Sequence, residues 1–346
     1  MKKLVFLFSA LLLLASCGKS GFKVTVEFED NDKHNGKEAF LVDYDSGDTI
    51  ASATIEDQKC VLESDIDSTF SAILYFDDLY DPLFQFIVEP GEIVAKFPKD
   101  SDFTVTSPLN DMKREKMSNI KISAGEKPLL KLYQENKDNI IGSWAFCEYI
   151  FYNEELEKAE FDSLLMEAPA EYAHLKRVEK AKTLFTNAEQ TAEGKKFVDF
   201  EATDVNGKTF KLSDYVGKGK PVAMVFFNPS WEYQHGMKDD FKMLNDWKHD
   251  NAIGSQFELV CVPAYDTPEN IRQCASDNNV NYPIVISNQT PPEPFELYGF
   301  RSHGFEGVPI YISYTIVFDP EGTIYYRGAS GQIKLMHFID VLAGSK

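Results

Sequence analysis

Residues 221–237 read "PVAMVFFNPSWEYQHGM", and the reading of this stretch decides the fold. Val222 to Phe227 form an unbroken apolar run, short enough for a strand buried on both faces. The following "KDDFKMLNDW" (238–247) reads as a helix within a helical run over 236–249. A strand that enters a helix through a tight polar turn gathers free backbone N–H groups and the positive end of the helix dipole at one point. Such turns often carry chemistry. This one holds no cysteine, no serine–histidine relay and no glycine-rich loop.

Strand and helix alternate outward from this point through residues 193–346. Strand-like runs fall at 221–227, 257–263, 282–286, 314–319 and 322–327, and helix-like runs at 236–249, 267–277 and 333–343. That alternation argues for an α/β sheet with some parallel pairs. The last two runs, "YTIVFD-PEG-TIYYRG", read as a hairpin turning at Pro320 and Gly322.

The first part of the chain is different. "FKVTVEF" (22–28) alternates apolar and polar residues, the period of a half-buried strand. Further strands are expected at 39–44, 49–55, 59–63, 70–76, 83–88 and 93–97, separated by turn clusters such as "NDKHNG", "DSGD", "DDLYDP" and "EPGE". About seven short strands at this rhythm suggest a sandwich. Residues 108–190 then turn helical, with Leu129, Leu132, Tyr133, Ile140, Trp144, Cys147 and Phe151 at helical spacing and Pro128 and Pro169 as punctuation. Those aromatic residues read as core.

Of the 346 residues, 43% are apolar and 26% charged, ordinary values for a globular protein. The formal charge of −20 disfavours nucleic acid, whose phosphates require Lys and Arg, and disfavours docking on anionic lipid through the protein surface. Lys2 and Lys3 precede an apolar segment, Leu4 to Leu14, that is too short to span a membrane as a helix. "LASC" (14–17) follows it and resembles the bacterial lipoprotein processing site. The resemblance implies cleavage before Cys17 and acylation of Cys17, and several acyl chains anchor stably where one does not. Loss of residues 1–16 removes Lys2 and Lys3 and takes the charge from −20 to −22. Cys60, Cys147, Cys261 and Cys274 remain, with no CxxC spacing and no zinc-type cluster. Cys261 sits in "FELVCVPA", an apolar strand pattern that suggests a buried, inert thiol.

Residues 193–346 resemble the thioredoxin-like fold, specifically membrane-tethered envelope thiol–disulfide proteins and their peroxiredoxin-like relatives. The matching text is "GKKFVDFEATDVNGKTFKLSDYVGKGKPVAMVFF" (194–227), "FELVCVPAYDTPENIRQCASDNNVNYPIV" (257–285) and "YTIVFDPEGTIYYRGASG" (314–331). The phrases "FIVEPGE" (86–92) and "VTSPLND" (105–111) resemble a β-domain of unknown function that precedes such domains in Bacteroidetes-type lipoproteins. Together these imply an α+β multidomain chain. Its expected segments are a signal peptide (1–16), a β-sandwich (17–107), a helical connector (108–192) and a thioredoxin-like domain (193–346).

The redox-active family starts the helix after its first central strand with a CxxC. A helix N-terminus favours the thiolate there, and the second thiol resolves the mixed disulfide. Aligning "PVAMVFF" without gaps puts Trp231 and Gln234 at the two cysteine positions, and a one-residue insertion puts Glu232 and His235 there instead. Neither alignment supplies sulfur. The family also places a cis-proline opposite the dithiol. Pro309 in "EGVP" fits if the loop is lengthened, whereas the family's spacing falls on Ser313.

Other readings of the turn remain. Glu232, His235 and Asp239 share i, i+3, i+7 spacing, and with His303 from "FRSHGFEG" they form a legitimate metal or acid–base set. The competing reading is an acidic first helical turn favoured by the dipole. Trp231 and Tyr233, with Phe300 and Phe305, could instead form an aromatic rim that receives an extended peptide, or simply pack on one another. "DSGD" (45–48) and "DDLYD" (77–81) lack the ordered oxygens of a calcium loop and read as solvated turns. His34, His174, His249 and His337 read as surface residues.

The expected protein is a lipid-anchored lipoprotein of the bacterial envelope without a cofactor, a binding or accessory module for another envelope protein or peptide. Trp231, Tyr233, His235, His303 and Pro309 are its candidate surface. The alternative is an atypical thiol–disulfide oxidoreductase or peroxiredoxin-like enzyme that uses Cys261 or Cys274.

Overall fold

The computed structural model describes residues 21–29, 34–76, 82–99, 103–119, 127–153, 155–227, 245–250, 254–263, 268–277, 279–286, 294–299, 304–305, 308–309 and 314–329. Eight strands come first among the described residues: β1 (Phe22–Phe28), β2 (Glu38–Asp43), β3 (Thr49–Thr54), β4 (Lys59–Ser64), β5 (Phe70–Phe76), β6 (Pro82–Val88), β7 (Gly91–Phe97) and β8 (Thr104–Thr106). They form two four-stranded sheets, ordered β4-β1-β7-β8 and β3-β2-β5-β6. Alternate residues of β1 (Phe22, Val24, Val26, Phe28) point inward with Leu62 and Ile93. They meet Leu41, Leu74, Phe84, Phe86 and Val88 of the second sheet in one core, the arrangement of a sandwich. The short β8 had no clear alternation of its own to reveal it.

Five helices follow: α1 (Pro108–Asn119), α2 (Pro128–Glu135), α3 (Ile140–Tyr152), α4 (Lys158–Glu167) and α5 (Lys176–Gln190). Pro128 occupies the first turn of α2, where its missing N–H costs nothing. The Asn139 side chain caps α3 by accepting from Ile141 N at 3.0 Å. Trp144, Phe146, Ile150, Phe161, Val178 and Leu184 make a second core, which also takes Tyr44, Ile73 and Ile87 from the β-domain. The second sheet is therefore covered on both faces, which is why β5 reads "FSAILYF" with almost no polar alternation. At its edge the Asn110 amide bonds both backbone groups of Ile87, accepting from N at 2.9 Å and donating to O at 2.7 Å.

The last segment contains β9 (Glu201–Asp204), β10 (Thr209–Lys211), β11 (Val222–Phe227), β12 (Glu258–Pro263), α6 (Pro268–Asp277), β13 (Val285–Ile286), α7 (Pro294–Leu297), β14 (Gly304–Phe305), β15 (Val308–Pro309), β16 (Tyr314–Phe318) and β17 (Ile324–Ala329). The central order is β12-β11-β16-β17, with β11 parallel to β12 and antiparallel to β16. A bridge from Cys261 to Ile284 brings the β10-β9-β13 sheet alongside β12. The pleat sends Met224, Phe226, Val260, Val262, Ile316 and Phe318 into one core and Ala223, Val225, Leu259, Cys261 and Val317 into another. Two buried faces explain the unbroken apolar run at 222–227. The β16–β17 turn is closed by Asp319 Oδ1, which accepts from Thr323 N at 2.7 Å. The expected helix at 333–343 lies outside the described residues, as do residues 236–244 of the one expected at 236–249.

Candidate functional site

The platform for the site is the C-terminal end of β11. Phe226 is paired between Val262 of β12 and Tyr314 of β16. Its ring meets Phe295 of α7 edge-on at 5.8 Å. Phe295 in turn meets Tyr314 at 6.4 Å. These aromatic side chains are 2–8% exposed and make a dry floor beneath the strand end. Trp231, Glu232, Tyr233, Gln234, His235, Asp239, Phe300, His303 and Ser313 lie outside the described residues. The backbone of Pro309 is described: it pairs with Gly304 in the two-stranded ladder β14–β15, not with the central sheet. Among the described residues no three His, Cys, Asp or Glu side chains are grouped as metal ligands would be.

None of the four described thiols is in a disulfide. Burial pushes Cys60 and Cys147 up to about 12, far above the range of a reactive thiolate. Cys261 is 0% exposed at the middle of β12. Cys274 is half-buried on α6 and packs against the same core. Tyr282 belongs to the same core with its hydroxyl buried; burial pushes its phenol well above the usual range. A cavity of ≈ 520 Å³ opens beside Tyr282, lined by Asp204, Tyr215 and Arg272. It sits level with the start of β12, so it is at the opposite end of the sheet from the β11 turn.

Two features here were invisible to pattern reading. Asp45, read from sequence as part of a solvated turn, caps α5: its two carboxylate oxygens accept from Lys176 N and Arg177 N, each at 2.9 Å. His34, read as a surface residue, is half-buried and stacks on Phe28 at 4.8 Å. His174 and His249 are exposed as expected, and His337 lies outside the described residues.

Central strands with a parallel β11–β12 pair, a helix crossing over after β12 and a closing antiparallel hairpin define a thioredoxin-like scaffold. Residues 194–327 match the AhpC/TSA family and residues 22–137 match a domain of unknown function, DUF4369. The C-terminal segment is thus an AhpC/TSA thioredoxin-like domain, preceded by a DUF4369 domain that runs from β1 past the sandwich and through α2. Over 104 residues the chain is 31% identical to the thiol-disulfide oxidoreductase ResA of Bacillus subtilis (strain 168), a span that is 30% of this chain and 54% of that protein. The chain thus spans about half the length of this curated relative. Among solved structures, the thioredoxin domain of a thiol-disulfide oxidoreductase from Bacteroides vulgatus is 19% identical, aligned over 43% of this chain and 98% of its own, with a TM-score of 0.32. A thiol:disulfide interchange protein from Chlorobium tepidum TLS is 17% identical over 44% and 99%, with a TM-score of 0.34. No helix among the described residues is long and apolar enough to cross a membrane.

Proposed function

We propose that this chain is a lipid-anchored protein of the bacterial envelope whose thioredoxin-like domain binds a partner and does not exchange disulfides. One observation carries the reading: the turn after β11, where the fold stabilises a thiolate, contains no cysteine from 226 to 243. Indole, carboxamide, carboxylate and imidazole side chains cannot form the two-electron disulfide couple. The partner is an extended segment of another envelope protein, engaged by Trp231, Tyr233, His235, His303 and Pro309. Cys17 is the lipidated residue, and the chain divides near 107 and near 192 into sandwich, connector and thioredoxin-like domain.

A second reading has its own support. Cys274 is half-buried, not sealed, and the ResA relative carries the name of a thiol-disulfide oxidoreductase. In that reading Cys274 or Cys261 is the active thiol. Reduction of insulin or of a dithiol dye by the purified chain separates the two. The binding reading expects turnover equal to buffer for the wild type. Turnover that disappears in Cys274→Ser or Cys261→Ser would overturn it.

A further inference from the structure

The helix α5 has 15 residues and is about 22 Å long. Its first turn is held by the β-domain. Besides the Asp45 cap, Arg177 donates from Nε to the Tyr44 carbonyl at 2.7 Å and stacks over the Tyr44 ring at 3.2 Å. The Tyr44 hydroxyl donates to Glu148 of α3, a carboxylate only 4% exposed. Lys113 of α1 and Gln85 of β6 face the same carboxylate, and Lys113 lies over Trp144 at 3.5 Å.

The last turn of α5 is held just as firmly by the C-terminal domain. Arg327 of β17 donates from Nη1 to the carbonyls of Ala188 and Thr191 at 3.2 and 2.9 Å, and from Nη2 to the carbonyl of Tyr298 at 2.7 Å. A cation on the last helical carbonyls is favoured by the dipole. Thr191 Oγ1 bridges to Asn187 O at 2.7 Å and to Tyr298 O at 3.2 Å. Asn187 donates to Glu296 O at 2.9 Å, and Lys180 pairs with the Glu296 carboxylate. Gly299 has φ +68°, and a Cβ there would come within 2.2 Å of Ala188 N, so the turn after α7 lies directly on the helix. The chain then passes to β14–β15, and β15 returns to contact β6 of the β-domain.

We propose that α5 is a rigid tie that couples the β-domain to α7 and the β14–β15 ladder, so that loosening either joint loosens the other. The observations form a closed circuit: turn 44–45, α5, α7 and its following glycine, the β14–β15 ladder, and back to β6. A packed helix pinned by side chains at both ends is a rigid element through which displacement at one end reaches the other. The coupling places Pro309 and the β-domain under one constraint. It does not depend on whether the C-terminal domain handles disulfides.

Amide hydrogen exchange on the full chain, read peptide by peptide, tests it. Asp45→Ala removes the α5 cap and is expected to raise exchange about tenfold at 176–180 and also at 294–299 and 304–309, with 222–227 unchanged. Coupling is reciprocal, so Thr191→Val, a near-isosteric change at the far joint, must raise exchange at 43–48. If Asp45→Ala unfolds the chain, the Thr191→Val arm decides alone. Exchange at the distant joint equal to wild type in every folded variant would overturn the proposal and leave α5 a packing element.

Discussion

Strands β1 and β12 sit in different domains and obey different rules. In β1 only alternate residues are buried, and Lys23, Thr25 and Glu27 face away from the core. In β12 Leu259, Val260, Cys261 and Val262 are each 0% exposed in succession. The first strand belongs to a sheet with one covered face, the second to a sheet with two. A polar residue therefore has half the positions of β1 open to it and none of the interior of β12. The missing sulfur falls on the turn beyond β11, the partner of β12, and not within the sheet. On the proposed reading, the cysteines are missing from that turn, while the apolar residues of β11 and β12 are kept.

The sharpest way to break this contrast is a truncation in β12. Leu259→Ala is expected to cost about 2–5 kcal/mol, because its core has helix α6 on one side and the sheet on the other and cannot collapse around the gap. Urea unfolding followed by tryptophan fluorescence checks it. A cost below 1 kcal/mol would mean that the second face is not sealed.

A middle-sized effect comes from Glu148, at the seam between the two domains' rules. Burial is the largest influence on its carboxyl and raises it above 4.5, against the opposing pull of Tyr44, Arg177, Lys113 and Gln85. The folded state therefore holds the proton on Glu148 more tightly than the unfolded chain does. That preference is fully present below the unfolded value near 4.5 and is lost as pH rises through the higher folded value. Glu148→Gln, which keeps an acceptor for Tyr44, is expected to match the wild type in acid and to gain on it as pH rises past that window. Thermal melts of the two chains across pH give the difference, and a gap that shrinks with rising pH would reverse the sign. The smallest effect belongs to β1. Thr25→Lys, flanked by Val61 and Val94 on the outward face, should shift stability by within about 0.5 kcal/mol in the same urea assay.

Much of the scaffold was legible because its period is local. The alternation of "FKVTVEF" and the continuous run "VAMVFF" each carry their own burial pattern, and β1 and β11 lie where those patterns end. Short ladders such as β14–β15, two residues each, have no period to read. Long-range polar contacts were illegible for a different reason. Asp45 and Arg177 are 132 residues apart, and "DSGD" reads identically whether its carboxylate meets water or a helix end. The candidate site was legible only as a position. The turn after β11 can be located from the strand, but what Trp231, Tyr233 and His235 hold there is not written in a local pattern, and these residues lie outside those described.

Asn110 has a consequence beyond its hydrogen bonds to Ile87. Strand β6 is the last in its sheet, and its outward N–H and C=O groups are the kind of template on which a second copy of the same strand adds. The amide meets Ile87 as a neighbouring backbone would, with one donor and one acceptor at 2.7 and 2.9 Å. A single side chain thus impersonates a ninth strand at that rung. Molecules crowded side by side would find the rung already occupied, and solubility at high density would rest in part on one amide.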